Sequence, residues 1–342
     1  MNEITTVGLD LAKNVFYVHG VDARGKTVVK KKLVRAKVLE FFANLQPCLV
    51  GMEAGGGSNY WAREIKKLGH DTKVMAAQFV KPFNKSNKND ENDAEAISEA
   101  VTRPSMRFVP VKSVDQQDIQ SVHRIRERLV TARTSLVCEI RGLLGEYGIT
   151  IPQGIRELPK AVPEILADTE NHLTSFTREL IQDLFSELLS LTEKVKSYNA
   201  RIELIHKSHP IAQRLTTIPG VGPMAATAIL ANASDPSMFK NGREFAAYFG
   251  LVPRQNSSGG KQNLLGISKR GDKYIRTMLI HGARAAVGHN KNLKGESKRR
   301  LDWVQKLRER KSYNKTAVAL ANKNARTIWA LLKSGESFKV AA

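Results

Sequence analysis

The apolar positions change their period along this chain, and each change marks a different kind of segment. In the N-terminal third they come in short runs. Residues 4–9 are a brief apolar stretch ending at Asp10. Val15–Val21 alternates, with Val15, Tyr17, His19 and Val21 on one face and Phe16 and Val18 on the other. Residues 22–26 (Asp-Ala-Arg-Gly-Lys) have turn composition, so Thr27–Val34 is predicted to return as a third strand. Residues 37–45 carry Val38, Phe41, Phe42 and Leu45 at helical spacing. Residues 48–52 form a fourth, wholly apolar strand ending at Glu53. Ser58 is placed to cap a helix over 60–68 that stops at Gly69. A fifth strand over 72–76 and a helix over Asp90–Val101 complete the order βββαβαβα.

Beyond Val122 the period becomes helical. Ile125, Leu129, Ala132, Leu136, Ile140, Leu143 and Tyr147 recur at spacings of three and four, the seam of a coiled coil. Residues 148–163 hold three prolines and break it. A second seam runs through Leu173, Phe176, Leu180, Leu184, Leu188, Leu191, Val195, Tyr198, Ile202 and Ile205. Two such helices predict a long antiparallel arm, paired within one chain or with a second protomer. His209-Pro210 ends it. Pro219-Gly220-Val221-Gly222-Pro223 then opens an Ala-rich helix and resembles the hairpin of helix-hairpin-helix DNA-binding modules. There Gly220 and Gly222 would let the backbone approach a phosphate at a helix N-terminus. A tight turn between two helices is the plainer alternative. In the tail, Trp303 and Leu307 lie four apart among Lys298, Arg299, Arg300, Lys306 and Arg308. That predicts a helix with one apolar side and a basic face, followed by more helix over 317–332.

Composition narrows the function. The chain has 342 residues, more than the roughly 250–300 at which a single core stops growing, so at least two domains are expected. Hydrophobic residues make up 42%, enough for packed cores rather than a disordered polyelectrolyte. Lys and Arg total 54 against 33 Asp and Glu, a net +21; from Lys261 onward the counts are 20 and 5, so +15 of the excess lies there. A basic half joined to a near-neutral half predicts a polyanion partner, nucleic acid above all. There is no apolar run of ~18 residues and no basic-then-apolar start, so neither a membrane span nor a leader is expected. Cys48 and Cys138 are the only cysteines, both in apolar settings, which fits buried thiols in a reducing compartment and excludes a Cys-rich zinc site. The eight His residues show no ligand spacing and are expected to be structural or superficial.

The candidate chemistry lies in carboxylates at element ends. Asp10 ends the first strand and Glu53 the fourth. If those strands are neighbours, the two acids lie side by side at one sheet edge. Asp90 and Asp93 share a face of the following helix. Four carboxylates converging without counter-charges repel one another, and divalent cations resolve that. Hard oxygen donors select Mg2+ or Mn2+, and a pair of such ions clamps the attacking and leaving oxygens of a phosphodiester displacement. The strand and helix order, with acids at strand ends, is also the order of the ribonuclease-H-like fold, a resemblance in topology.

A second candidate is a serine. Ser257-Ser258-Gly259-Gly260-Lys261 lies on a Gly-rich turn, and Lys261, Lys269, Arg270 and Lys273 could offset the charge of a pentavalent phosphate. No base stands beside it in sequence, so a flexible polar loop is the alternative.

The segments GLDLAK with Asp10, GMEAGGG with Glu53, KNDENDAEAI with Asp90 and Asp93, IPGVGPMAA, and GLVPRQNSSGGKQNLLGISKRGDKYIR together resemble the DEDD transposases of bacterial insertion sequences, the "one-ten" family. The SSGGK form is similar to its "eleven-eleven" branch, and the resemblance spans nearly the whole chain in the right order.

The resemblance implies a RuvC-like DEDD domain over residues 1–110, a coiled-coil arm over 111–210 and a helical C-terminal transposase domain over 211–342. It implies Mg2+ (or Mn2+) bound by Asp10, Glu53, Asp90 and Asp93, and a covalent serine–DNA intermediate at Ser258, with Ser257 the fallback. It also implies an element-encoded bridge RNA that selects donor and target DNA, and a dimer that assembles into a tetramer, acids and serine meeting across protomers. The setting implied is the bacterial cytoplasm, at the nucleoid. Nucleic-acid contacts are expected at Lys13, Lys88, Gly220, Gly222, Lys261, Lys269, Arg270, Lys273, Arg276, Lys298, Arg299 and Arg300. Three rivals use the same residues differently: a RuvC-like nuclease with water as nucleophile, a sugar-kinase or actin-like ATPase suggested by residues 8–13, and a non-catalytic nucleic-acid scaffold. The ATPase would need a second domain of its own kind, where this chain is helical and basic.

Overall fold

A computed structural model describes residues 3–84, 89–233, 235–288 and 295–338. The chain divides into two compact units, Met1–Asp115 and Gln116–Ala342.

The first unit is a twisted mixed sheet. Strands β1 (Thr6–Asp10), β2 (Val15–Val21) and β3 (Thr27–Val34) form an antiparallel meander. Helix α1 (Val38–Ala43) leads to β4 (Leu49–Glu53), α2 (Ser58–Lys67) to β5 (Asp71–Met75), and the short α3 (Ala77–Val80) precedes α4 (Asp90–Val101). The strand order is β3-β2-β1-β4-β5-β6, with β1–β4 and β4–β5 parallel. The predicted neighbouring of the first and fourth strands is therefore present. β6 (Phe108–Val109) has only two residues and no period that could announce it. One sheet face buries Phe16, Phe42, Trp61 and Ile65 against α1 and α2, with Phe16 and Trp61 edge to face at 4.9 Å. Burying side chains of this size contributes roughly 1.5–3 kcal/mol each. Ser58 does not cap α2 as expected. Gly57, at φ +85°, precedes the helix, and the Ser58 hydroxyl donates to the Gly55 carbonyl at 3.0 Å.

The second unit is helical. α5 (Val114–Gly145) begins at the boundary; α6 (Leu158–Ala167) and α7 (Ser175–Ser208) follow. α5 and α7 run antiparallel, since Arg126 donates to Asn199 toward one end and Tyr147 bonds Thr177 at 2.7 Å toward the other. Leu129, Leu136, Ile140, Leu188, Leu191 and Val195 are buried between them, whereas the expected seam residues Ile125 and Leu143 are exposed. Early in α7 the buried face is one residue off the predicted one. Thr177, Ile181 and Phe185 point inward, while Phe176 is 69% and Leu180 43% exposed. A 3.6-residue helix drifts against a strict heptad, and neighbouring apolar residues then compete for the seam. Cys138, expected to be a buried thiol, is exposed, since the helix turns it away from buried Leu136, Val137 and Ile140; Cys48 is buried as expected.

α8 (Pro210–Leu215), α9 (Pro223–Ala233), α10 (Gly242–Tyr248), a hairpin of β7 (Pro253–Gln255) and β8 (Leu264–Ile267), then α11 (Lys273–Gly288), α12 (Gly295–Arg308) and α13 (Tyr313–Ser334) complete the unit. α9 is buried almost all round through its Ala, Ile and Leu side chains, and α7, α8 and α11 pack around it. The tail helix is anchored by Val304, which is fully buried, rather than by Trp303. The His residues expected to be structural include buried His123, which bonds Tyr274 at 2.9 Å and Thr227 at 3.0 Å and so ties α5 to α11 and α9. Burial, followed by the Arg126 charge, lowers its pKa to about 4.

Candidate catalytic carboxylates and the serine hairpin

The acid site begins with two glycines. Gly8 on β1 and Gly51 on β4 are register partners and both face α4. A Cβ at Gly8 would run into the Ala94 carbonyl and the Ser98 amide, and one at Gly51 would lie 2.8 Å from Val101 Cβ. This bare floor lets α4 lie directly on the sheet. Buried His19 fixes the contact, bonding Ser98 at 2.8 Å and Thr27 at 3.2 Å. Asn89 caps α4, its side chain accepting from the Asn92 N–H at 2.8 Å.

The first turn of α4 then carries Asp90 and Asp93 toward the strand ends. Asp10 ends β1 and Glu53 ends β4, one residue past the paired Leu9 and Met52. The four acids share one electrostatic field. Burial pushes the Asp10 carboxyl up to about 6, and the charges of Asp93, Asp90 and Glu53 add to the rise. Asp93 accepts from Asn84 Nδ2 at 2.9 Å. Asn84 Oδ1 is buried and, among the described residues, has no hydrogen-bond partner. Sequence reasoning missed Asn84, whose only signal is its nearness to the acidic helix. The four carboxylates and the orphaned amide oxygen are all hard oxygens, the donor type that divalent cations take. Among the described residues, no three His, Cys, Asp or Glu groups are close enough to ligate one ion together.

The serine loop is a β-hairpin. β7 and β8 pair Pro253 with Ile267 and Gln255 with Leu264, and the ladder continues to a Ser258–Lys261 bridge. Gly259 and Gly260 sit at φ +55° and +76°, and the Lys261 N–H donates to the Ser258 carbonyl at 3.0 Å. Two consecutive left-handed residues make the two-residue turn that suits hairpin twist, and Gly-Gly permits it. The two serines differ. The Ser257 hydroxyl accepts from the Asn263 N–H at 3.1 Å, whereas the Ser258 hydroxyl has no hydrogen bond among the described residues. Every residue from Pro253 to Gly266 is exposed.

The other predicted contacts divide by exposure. Lys13, Lys261, Lys269, Arg270, Lys273 and Arg299 are exposed. Lys269 is the one non-glycine residue with positive φ among those described, at +55°. Arg276 is buried. Its guanidinium donates to the Phe249 carbonyl at 3.1 Å and the Arg270 carbonyl at 2.9 Å, so it holds the root of the hairpin instead of facing solvent. Gly222 is exposed with open space above it. Gly220, at φ +85°, is where the turn meets α11, and a Cβ there would lie 2.8 Å from the Gly282 carbonyl. Lys88 and the side chains of Lys298 and Arg300 lie outside the described residues.

An acidic edge on a β3-β2-β1-β4-β5 sheet, joined in one chain to a basic helical half, defines a DNA-processing enzyme of the DEDD transposase class. The sequence profile of the DEDD transposases of IS110 type, described as "Transposase", matches residues 7–149, and that described as "Transposase IS116/IS110/IS902 family" matches residues 212–297. A "Probable family 20 transposase" of Pseudomonas aeruginosa is 50% identical over 96% of this chain and 97% of its own length. The "Transposase for insertion sequence element IS1111A" of Coxiella burnetii is 44% identical over 100% and 93%. The "Transposase for insertion sequence element IS1328" of Yersinia enterocolitica is 39% identical over 99% of each chain. The chain belongs to the IS110 family of insertion-sequence transposases. No helix among the described residues is long and apolar enough to cross a membrane.

Proposed function

We propose that this transposase is a site-specific DNA recombinase that cuts and rejoins strands through a covalent link to Ser258, with specificity supplied by an element-encoded bridge RNA. The observation that carries the phosphoryl-transfer reading is Asp10 at the strand end, its carboxyl raised to about 6 by burial first and then by the charges of Asp93, Asp90 and Glu53. Those four acids, with the Asn84 amide oxygen, would hold Mg2+ or Mn2+. When bound, the metal neutralises charge developing on the transferring phosphate. The Ser258 oxygen attacks phosphorus, an O–P bond forms, and one deoxyribose oxygen departs as a free hydroxyl. The serine proton goes to a carboxylate of the acid cluster, and a proton from that cluster passes to the departing oxygen. Attack by the hydroxyl of the exchanged strand reverses the step, restores the phosphodiester and frees Ser258. Lys261, Lys269, Arg270 and Lys273 offset the phosphate charge. Gly222 and the start of α9 offer a helix-hairpin-helix-like anchor for a phosphate.

By the family resemblance, acids and serine come from different protomers of a dimer that pairs into a tetramer, and the α5–α7 arm is its coiled-coil dimerisation element. The exposed Phe176 and Leu180, four apart on α7, support a partner for the arm. A guide RNA gives a second polyanion to a chain of net +21.

Denaturing gels with labelled donor DNA test the chemistry. Wild type and Ser257→Ala are expected to form a protein–DNA adduct, and Ser258→Ala none. Normal cleavage by Ser258→Ala without adduct would establish the water-using nuclease instead. Unchanged activity in Asp10→Asn would leave only a binding scaffold. Sequencing of co-purified RNA, followed by recombination with and without it, tests the guide; target-specific recombination by RNA-free protein would refute it.

A further inference from the structure

The second unit contains a groove of roughly 1210 Å3 that the reaction scheme above does not use. Its walls come from α10, α12 and α13, and its end is formed by Pro253 and Ile267, the residues that pair at the foot of the serine hairpin. Three features set its chemistry. Arg243, Lys315, Lys323 and Arg326 line it, and among the described residues no Asp or Glu does. Val318, Ala319 and Ala330 add apolar surface to the lining. Two indoles face it. Trp329 is pinned as wall, its Nε1–H donating to the Pro236 carbonyl at 3.1 Å. Trp303 is 37% exposed, and the Lys323 ammonium lies 4.5 Å from its ring centroid.

An apolar slot with an accessible indole and a wholly basic rim does not suit a neutral or acidic-rimmed small molecule. It suits an unpaired nucleotide, whose base stacks on the indole while its phosphate neighbours meet the cations. Duplex DNA keeps its bases stacked inside and has no flat face to offer such a slot. We infer that this groove holds single-stranded DNA next to the cleavage point, with one unpaired base stacked on Trp303 and the adjoining phosphates on Arg243, Lys315 and Arg326. The choice of DNA rests on the groove opening at the foot of the Ser258 hairpin, and so on the reading that this hairpin engages the cleaved strand. The role is one of positioning. A strand gripped one side of the scissile phosphate keeps its end in place while the covalent link exists.

The test uses full-length protein in a Ser258→Ala background, so that no covalent capture contributes. The probes are a fluorescein-labelled dT12 strand and a 12-base-pair duplex, at fixed salt. Trp303→Ala is expected to weaken dT12 binding about tenfold and duplex binding little, as for loss of one stacked base. Trp303→Phe should recover most of the loss. Lys315→Ala and Arg326→Ala should each lower the log–log salt slope for dT12 by a little under one unit. Ala330→Glu puts a negative charge on an exposed groove position without opening the core, so it tests the groove if Trp303→Ala fails to fold; it should weaken dT12 at least as much. Unchanged dT12 affinity in folded Trp303→Ala or Ala330→Glu overturns the inference. So does a matching oligonucleotide of U bound far more tightly than dT12 through Trp303, which would make the groove an RNA site. Ala330→Glu changing the oligomeric mass without touching dT12 affinity would make it a protein interface and equally overturns it. The serine reading fails separately: adducts absent from the Ser258-containing protein while dT12 binding still depends on Trp303 refute the covalent step and leave the groove standing.

Discussion

The acids and the serine are held in opposite ways. The carboxylates stand at the ends of β1 and β4 and on the first turn of a helix pressed onto a glycine floor, where no side chain separates helix from sheet. Ser258 stands at the tip of a two-stranded hairpin with every neighbour exposed, its root held by buried Arg276 and by backbone bonds from Ser268 to Val252 and Lys269 to Gly250. On the proposed chemistry, carboxylates sharing cations would need a geometry set to within a fraction of an ångström, which packing against backbone favours. A serine carrying a DNA end would need reach, which a hairpin anchored at one end favours. Rigidity and reach are separated between the two units of one chain.

The largest expected effect attacks the rigid half. Gly8→Val drives a branched side chain into the Ala94 carbonyl, so α4 must lift. A loss of about 3 kcal/mol or more is expected in denaturant titration, with DNA cleavage abolished. A Gly8→Val protein of wild-type stability would break the comparison. Next is the acid response of the helical unit. His123 has its pKa lowered to about 4 in the folded state, from the usual 6.5. Between those values the unfolded chain binds a proton that the folded chain refuses, so stability is full above pH 6.5 and falls as pH drops toward 4. The loss is on the order of 2–3 kcal/mol, read from melts at stepped pH, and His123→Gln should flatten it.

A smaller effect of opposite sign is expected at Asp10. Its raised pKa means that the folded state disfavours the charged carboxylate above the ordinary 3.8. Asp10→Asn should therefore stabilise the metal-free protein at neutral pH, by about 1 kcal/mol after allowance for solvent screening, while abolishing catalysis. Metal-free melts at pH 7 check the sign, and a fall in Tm would refute it. The smallest global effect is expected in the hairpin. Gly260→Ala forces an L-residue to φ +76° at about 1 kcal/mol of local strain. The melt should move little, because nothing packs on the tip, yet adduct yield should drop. A large shift in Tm would mean that the hairpin is part of the core.

Much of the sheet could be read from its apolar runs, since β1 is buried on both faces and β2 over most of its length, and the turn at 22–26 has its own chemistry. The four acids were legible as strand-end and first-turn residues. Asn84 was not, since an orphaned amide oxygen is a property of its surroundings. The long helices were legible too, but Phe176 and Leu180 were assigned inward when Thr177 and Ile181 face the seam. Adjacent apolar residues leave the phase of a helix open, and only the partner helix selects it. Arg276 read as one more cation of a basic loop, because charge in a sequence carries no direction.

By itself the sequence determined the order of the first five strands and the long helices, the placement of carboxylates at element ends, the concentration of positive charge after Lys261 and the Gly-Gly turn after Ser258. These follow from periodicity, propensity and counting, which are local. The tertiary structure alone decided that Gly8 and Gly51 form the surface α4 lies on, that Ser257 is engaged and Ser258 is not, that Arg276 is internal, and that α10, α12 and α13 enclose a basic groove lined by tryptophans. Each depends on the approach of residues far apart along the chain, and that approach is set by packing of whole elements, which no local pattern records.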